Sequence, residues 1–190
     1  EANAIGCSVH GIDATALTGQ QIASLQDLLY RQRLIVLKNQ SLTEAQYCAS
    51  ANASAKPVPY LQDNYHHPDF PLIFVSSNVK EGRQMGVPRT GGYWHSDTSF
   101  EATPKVITML MPKVLPLEHA RSTRFIDMSA VFAALPEATK AKLEGATLKH
   151  SGRWRYKVRP ENAGMDIHEI LELIDQHAPP MSHPAVITHP

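Results

Sequence analysis

Sulfur cross-links, surplus charge and long apolar runs are all missing from this chain. It carries two cysteines in 190 residues, Cys7 and Cys48. Their separation matches no metal-ligand spacing. Two free thiols, buried or half-buried, in a reducing cytoplasm are the default expectation. Lys plus Arg and Asp plus Glu number 18 each. That balance supplies neither a basic face for nucleic acid nor an acidic tail. Apolar runs such as Leu34–Leu37 fall far short of the roughly 20 residues a bilayer span needs. No basic leader followed by an apolar stretch is present. The first residue is Glu1 rather than Met, which suggests that the sequence begins inside a longer chain.

What is present describes an ordinary globular protein. An apolar content of 43% over 190 residues is enough for one domain, residues 1–190, with a real core. The first segment reads strand, helix, strand. Thr18 with Gln21 makes a capping box ahead of Ile22, Leu25, Leu28 and Leu29, which recur on one helical face. Leu34–Leu37 reads as a short strand buried on both sides. Thr43 with Gln46 caps a second helix running to about Ala53. A loop rich in Asp, Asn, His and Pro (62–71), a strand (72–76) and a Gly-containing loop (80–90) follow.

Further strands are expected at 93–97, 106–111 and 123–127, the first two separated by a Pro-marked turn. Pro136 opens a helix that stops at Gly145, and Ala146–Lys149 reads as a strand. Asp166 with Glu169 caps a helix carrying Ile167, Ile170, Leu171 and Ile174 that ends before Pro179. One more strand is expected at 185–189. The fold class is mainly β with about four flanking helices. Its last strand lacks a next partner, which again predicts a longer protein.

Chemistry concentrates at His95-Ser96-Asp97. An imidazole and a carboxylate two residues apart on a strand project from one face and can serve one divalent metal. With a second imidazole they make the 2-His-1-carboxylate site of non-haem Fe(II) oxygenases. Ten histidines and 18 acidic residues make about one His-x-Asp/Glu match expected by chance. A second match exists at His67-Pro68-Asp69, but Pro68 falls inside it and Pro71 follows, so it reads as a turn. The His95 copy differs, because Tyr93, Trp94, Thr98 and Phe100 are strand-favouring neighbours. Core packing accounts for Trp94 and Phe100 as well as a screen around a metal does. His66 and His67 read as polar loop residues, and His10, His119, His150, His168 and His177 as structural or solvent-facing.

Several segments together resemble the taurine dioxygenase-like (TauD/TfdA) family. They are Trp94-His95-x-Asp97, Arg33-Leu34-Ile35-Val36-Leu37-Lys38-Asn39-Gln40, and Thr123 about 26 residues after Asp97. The likeness is closest to the isonitrile-forming branch of lipopeptide biosynthesis. It continues at Tyr65-His66-His67-Pro68-Asp69-Phe70-Pro71, Ile73–Ser77, Gly86–Gly91, Phe125–Met128, Lys157-Val158-Arg159-Pro160 and Thr188-His189-Pro190. The resemblance implies a double-stranded β-helix (jelly-roll, cupin-like) with its C-terminal part absent from this chain. It also implies dependence on Fe(II), 2-oxoglutarate and O2. His95 and Asp97 match the first two iron ligands and Thr123 the residue that hydrogen-bonds a 2-oxoglutarate carboxylate. Lys157, Arg159 and Tyr60 match substrate-binding positions. The family's third ligand and its 2-oxoglutarate-binding arginine are expected beyond Pro190, because His183 and His189 match neither. Leu61 and Thr98 stand where the branch usually has tyrosines, which weakens the substrate assignment.

The implied reaction is oxidative decarboxylation of an N-carboxymethyl β-amino acid, or its fatty-acyl derivative, to an isonitrile. Asp97 argues against halogenation, which needs an open position there. Two alternatives stand: a hydroxylase of another small carboxylate, sulfonate or amino acid, and a non-catalytic β-helix that binds a small acid. The partners expected are a small carboxylate, free or linked to a carrier protein, with neither nucleic acid nor membrane. A homo-oligomer is compatible with everything above. Lys157 and Arg159 alternate on an extended segment, with Arg153 and Arg155 in the same periodicity. Arg can take a carboxylate with two hydrogen bonds, whereas Lys acts as a point charge. A solvated basic strand edge is the competing explanation for those four residues.

Overall fold

Gly6 brings two strands together because it lacks a side chain. Its φ is +90°, and a Cβ there would sit 3.0 Å from both Leu34 Cβ and Leu34 O. The computed structural model describes residues 5–61, 63–77, 80–81, 84–85, 91–115, 122–155 and 162–189. Next to Gly6, β1 (Cys7–Val9) pairs in parallel with β2 (Ile35–Leu37), Cys7 opposite Ile35. Parallel neighbours need a crossover, and α1 (Gly19–Gln32) supplies it. Thr18 and Gln21 close the expected reciprocal box at the start of α1, and Thr43 with Gln46 does the same for α2 (Glu44–Ser54). Gln26 donates to the Ser54 carbonyl at 2.6 Å, tying the two helices together. Cys7 and Cys48 are half-buried free thiols, and burial pushes the Cys48 thiol up. No described helix is long and apolar enough to cross a membrane.

The chain divides into two compact units, 1–90 with 109–131, and 91–108 with 132–190. In the first, residues 109–113 are fastened to α2. Tyr47 donates to the Met109 carbonyl at 2.7 Å, and Lys113 Nζ lies 3.0 Å from Glu44 Oε1. The Lys113 ammonium holds the Glu44 carboxyl below its usual range. Short antiparallel strands β3 (Lys80–Glu81) and β4 (Gln84–Met85) also lie in this unit. Asp127 Oδ1 accepts from Ser129 N and Ala130 N and so opens α3 (Met128–Ala134), while Asp127 Oδ2 faces Arg33 at 3.7 Å.

In the second unit, α4 (Glu137–Leu143) follows Pro136 and gives way at Gly145, whose φ is +70°. There, β5 (Thr147–His150) pairs antiparallel with β6 (Met181–Pro184), Leu148 opposite His183. Asp166 caps α5 (Ile167–His177) through the expected box with Glu169. Ile170 and Ile174 on α5 are 6% exposed and form the unit's core. Gly152 opens a one-turn helix (Gly152–Arg155) against Ile174, and Arg153 grips Asp175 of α5 with two hydrogen bonds.

Several expectations are corrected. Residues 93–97, 106–111 and 123–127 form no ladder among the described residues. Val, Ile and Thr favour strands only where a neighbouring strand offers a pleated surface. Thr98, in the left-handed region at φ +54°, turns the chain just after Asp97, and Asp127 is diverted into capping. The 72–76 strand reduces to a single bridge, His66 to Phe74. The last strand lies at Met181–Pro184 rather than 185–189, and the 80–90 loop contains β3 and β4. Val36 is 43% exposed, so β2 is not buried on both sides, and Ile167 is 59% exposed, outside the core face of α5. Helical residues outnumber strand residues among those described, because few strands find partners there.

Removing the buried branches of Ile174 should cost about 2–4 kcal/mol of unfolding free energy. Asp166→Ala, which removes a cap, should cost about 1 kcal/mol. Urea denaturation of both variants tests that ranking, and a larger loss from Asp166→Ala would reverse it.

Candidate metal centre

His95 and Asp97 meet at the side-chain level although no strand carries them. His95 Nε2 lies 3.3 Å from Asp97 Oδ1. On the far side of the ring, Nδ1 is 2.8 Å from the Tyr93 carbonyl oxygen. A carbonyl only accepts, so the Nδ1–H donates and Nε2 is the ring nitrogen turned toward Asp97. The Tyr93 ring also lies against the imidazole, centroids 5.0 Å apart. Asp97 is fixed in the same way from behind. Thr108 Oγ1 donates to Asp97 Oδ2 at 2.8 Å, leaving Oδ1 for the shared point.

Nε2 and Oδ1 thus face one another across a gap that a shared proton or a metal ion would bridge. Two ligands at right angles, each about 2.1 Å from one ion, stand about 3 Å apart. The observed 3.3 Å fits two adjacent ligands of one divalent metal. No third His, Cys, Asp or Glu joins them among the described residues. The side chains are 37% and 48% exposed, and Trp94 is 62% exposed while Phe100 is half-buried. Trp94 therefore does not screen the pair from water in this structure.

A cross-linked turn holds the pair. Thr98 Oγ1 accepts from Lys105 N, and Thr98 O accepts from Glu101 N, both at 2.9 Å. Lys105 Nζ pairs with Glu101 Oε2 at 2.6 Å. His183 Nε2 donates to the Glu101 carbonyl at 2.9 Å and His189 Nε2 to that of Val106 at 3.3 Å. Both imidazoles thus brace the turn through backbone oxygens.

The other predicted site residues are distributed differently. Tyr60 belongs to the first unit and packs edge-on against Phe74, ring centroids 5.0 Å apart, with Tyr65 at 6.3 Å. His66 Nε2 donates to the Tyr60 carbonyl at 2.6 Å, which fixes that loop. Thr123 is exposed, also in the first unit, outside any helix or strand. Lys157 and Arg159 lie outside the described residues. The alternation that joined Arg153 and Arg155 to them fails, because Gly152–Arg155 is a helical turn and Arg153 is committed to Asp175. An open groove of about 330 Å³, lined by Val9, Ile12, Ser24, Leu25 and Leu28 among others, contains none of the predicted site residues.

Sequence reasoning missed Thr108. A hairpin turning at Thr103-Pro104 would have put 110 rather than 108 opposite 97, so the expected strand pair did not contain the signal. The side-chain bond is a tertiary contact made without a ladder.

Comparison with known proteins bears on what these residues serve. The model of the family described as taurine catabolism dioxygenase TauD, TfdA family matches residues 2–190. The chain is 26% identical over 146 residues to an alpha-ketoglutarate-dependent 2,4-dichlorophenoxyacetate dioxygenase of Cupriavidus pinatubonensis, covering 71% of this chain and 50% of that protein. It is 37% identical over 98 residues to a Schizosaccharomyces pombe protein provisionally named an alpha-ketoglutarate-dependent sulfonate dioxygenase, covering 52% and 23% respectively. Among solved structures it is similar to AAD-2 in complex with Mn(II) and N-oxalylglycine, with a TM-score of 0.55 at 20% identity. That match covers 98% of this chain and 62% of AAD-2. The chain thus spans half or less of the length of these two relatives.

His95→Ala and Asp97→Ala should each weaken Mn(II) binding by more than the roughly 10–100-fold that follows loss of a supporting residue. Titration followed by electron paramagnetic resonance measures this. Wild-type affinity in both variants would separate the pair from any metal.

Proposed function

This chain belongs to the taurine catabolism dioxygenase TauD, TfdA family, and from that premise we propose an Fe(II)- and 2-oxoglutarate-dependent oxygenase acting on a small carboxylate. The observation that carries the reading is the 3.3 Å approach of His95 Nε2 to Asp97 Oδ1, with the opposite atom of each group already hydrogen-bonded. In this reading His95 and Asp97 hold Fe(II) together with a further histidine, and residues 1–190 form a single oxygenase domain. The metal supplies a centre at which decarboxylation of 2-oxoglutarate is coupled to reduction of O2. Mn(II) and N-oxalylglycine, the latter an analogue of 2-oxoglutarate, were bound together in AAD-2, which supports the same pairing of cofactors here.

The chain's own residues divide the remaining work. The Thr123 hydroxyl hydrogen-bonds a 2-oxoglutarate carboxylate. Lys157 and Arg159 take the substrate carboxylate, Arg159 through two parallel hydrogen bonds and Lys157 as a point charge. Tyr60 contacts the substrate with a ring that Phe74 and Tyr65 hold in place.

The substrate class in this reading is a heteroatom–CH2–carboxylate. The relative from Cupriavidus pinatubonensis is named for 2,4-dichlorophenoxyacetate, which is a carboxymethyl ether. The N-carboxymethyl group of a β-amino acid or its fatty-acyl derivative, free or carrier-linked, is the amine counterpart. Converting R–NH–CH2–COOH to R–N≡C releases CO2 and four hydrogen atoms. Two turnovers remove them, each consuming one O2 and one 2-oxoglutarate. Hydroxylation of another carboxylate or a sulfonate is the second reading, favoured by the 37% identity to the Schizosaccharomyces pombe protein.

Anaerobic mixing of the protein with Fe(II) and 2-oxoglutarate should produce a weak visible charge-transfer band. Its absence would favour a non-catalytic acid-binding module. With O2, an N-carboxymethyl β-amino acid should yield two succinates per isonitrile, whereas one succinate and an alcohol would identify a hydroxylase. Lys157→Ala and Arg159→Ala should each raise the substrate KM about 10–100-fold, the loss of one charged hydrogen-bonding partner. The 2-oxoglutarate affinity should stay at wild type. Unchanged substrate KM in both variants would remove their anchoring role.

A further inference from the structure

We propose that Thr108 is a positioning residue that makes Asp97 a one-oxygen metal ligand. The inference rests on the reading of His95 and Asp97 as ligands and goes beyond it. An ionised carboxylate only accepts hydrogen bonds, so the Thr108 hydroxyl donates to Asp97 Oδ2 across 2.8 Å. Oδ2 is the oxygen turned away from His95, since Oδ1 is the one at 3.3 Å from Nε2. A carboxylate with both oxygens free can bind a cation through one or through both. Binding through both would take one of the three positions that two 2-oxoglutarate atoms and O2 require beside two imidazoles and one carboxylate oxygen. The hydrogen bond draws on the electron density of Oδ2, which makes that oxygen a poorer second donor to a metal, and it resists the carboxylate rotation that would bring Oδ2 toward the ion.

The placement of that hydroxyl is built, because Thr108 sits at the end of the turn that starts at Asp97. Thr98 Oγ1 accepts from Lys105 N and Thr98 O accepts from Glu101 N. Lys105 pairs with Glu101 across the same turn, and His183 donates to the Glu101 carbonyl from β6. All of these groups belong to one compact unit, so the Thr108–Asp97 distance is held by cross-links within it.

The test uses the full chain with Mn(II) titration and the visible absorption of bound Co(II), whose intensity falls as coordination number rises. Thr108→Val keeps the branched shape and loses the donor. It should weaken Mn(II) binding about tenfold, the lower end of the range for a supporting residue, because both groups are exposed. It should also lower the Co(II) absorption. Thr108→Ser, which keeps the hydroxyl, should restore both. If Thr108→Val fails to fold by circular dichroism, Thr108→Ala against Thr108→Ser makes the same comparison. Valine and alanine variants matching wild type in affinity and spectrum, while Asp97→Ala loses the metal, would overturn the role of Thr108 alone. Wild-type binding by Asp97→Ala would overturn the ligand reading together with it.

Discussion

The 3.3 Å approach of His95 Nε2 to Asp97 Oδ1 is the constraint around which the second unit is arranged. Left alone they would turn away toward water, since both are over a third exposed. Each is prevented from turning by a bond on its far side, from Nδ1–H to the Tyr93 carbonyl and from the Thr108 hydroxyl to Oδ2. An exposed hydrogen bond contributes only about 1 kcal/mol, more when one partner is charged. Two of them can therefore orient the pair but cannot by themselves hold the segment that carries it.

That segment is held by its turn and by the unit behind it. Thr98, at φ +54°, folds the chain back, and its hydroxyl and carbonyl close the turn to Lys105 and Glu101. His183 and His189 fasten the same stretch to β6 and the residues after it. The strand β6 is paired to β5, and the adjoining one-turn helix is locked to α5 by Arg153 and Asp175 over the buried Ile170 and Ile174. The chain of support thus runs from two buried isoleucines to two exposed ligating atoms. The Thr98 hydroxyl has a definite task here. It closes a backbone turn, which a tyrosine at that position would not do with its distant phenol.

What could be read without coordinates was local. Thr18 with Gln21, Thr43 with Gln46 and Asp166 with Glu169 each announce a helix start, because a cap and its N–H partner lie three residues apart in sequence as they do in space. Gly145 announces a helix stop for a similar reason. Strands were another matter. Val106–Met111 and Thr123–Asp127 have strand-forming residues, but a strand exists only where a second one pairs with it, and composition does not say where that one lies. Arg153 shows the same limit for charge. Its periodicity pointed along the chain toward Lys157, whereas its carboxylate partner, Asp175, is 22 residues away on another element.

The sequence by itself determined where α1, α2, α4 and α5 begin, the free thiols and the pairing of one imidazole with one carboxylate. These depend on neighbours within a few residues, whose distances the covalent chain sets. It also determined the family, through motifs spread along the whole length. Only the tertiary structure decided that His95 and Asp97 meet on a turn rather than a strand. Only it showed that Nδ1 takes the proton to a backbone carbonyl and that Thr108 stands behind Asp97. Those facts turn on the left-handed conformation of one residue and on contacts across eleven or more positions. Such contacts are chosen by packing among many competing partners, which no local rule ranks.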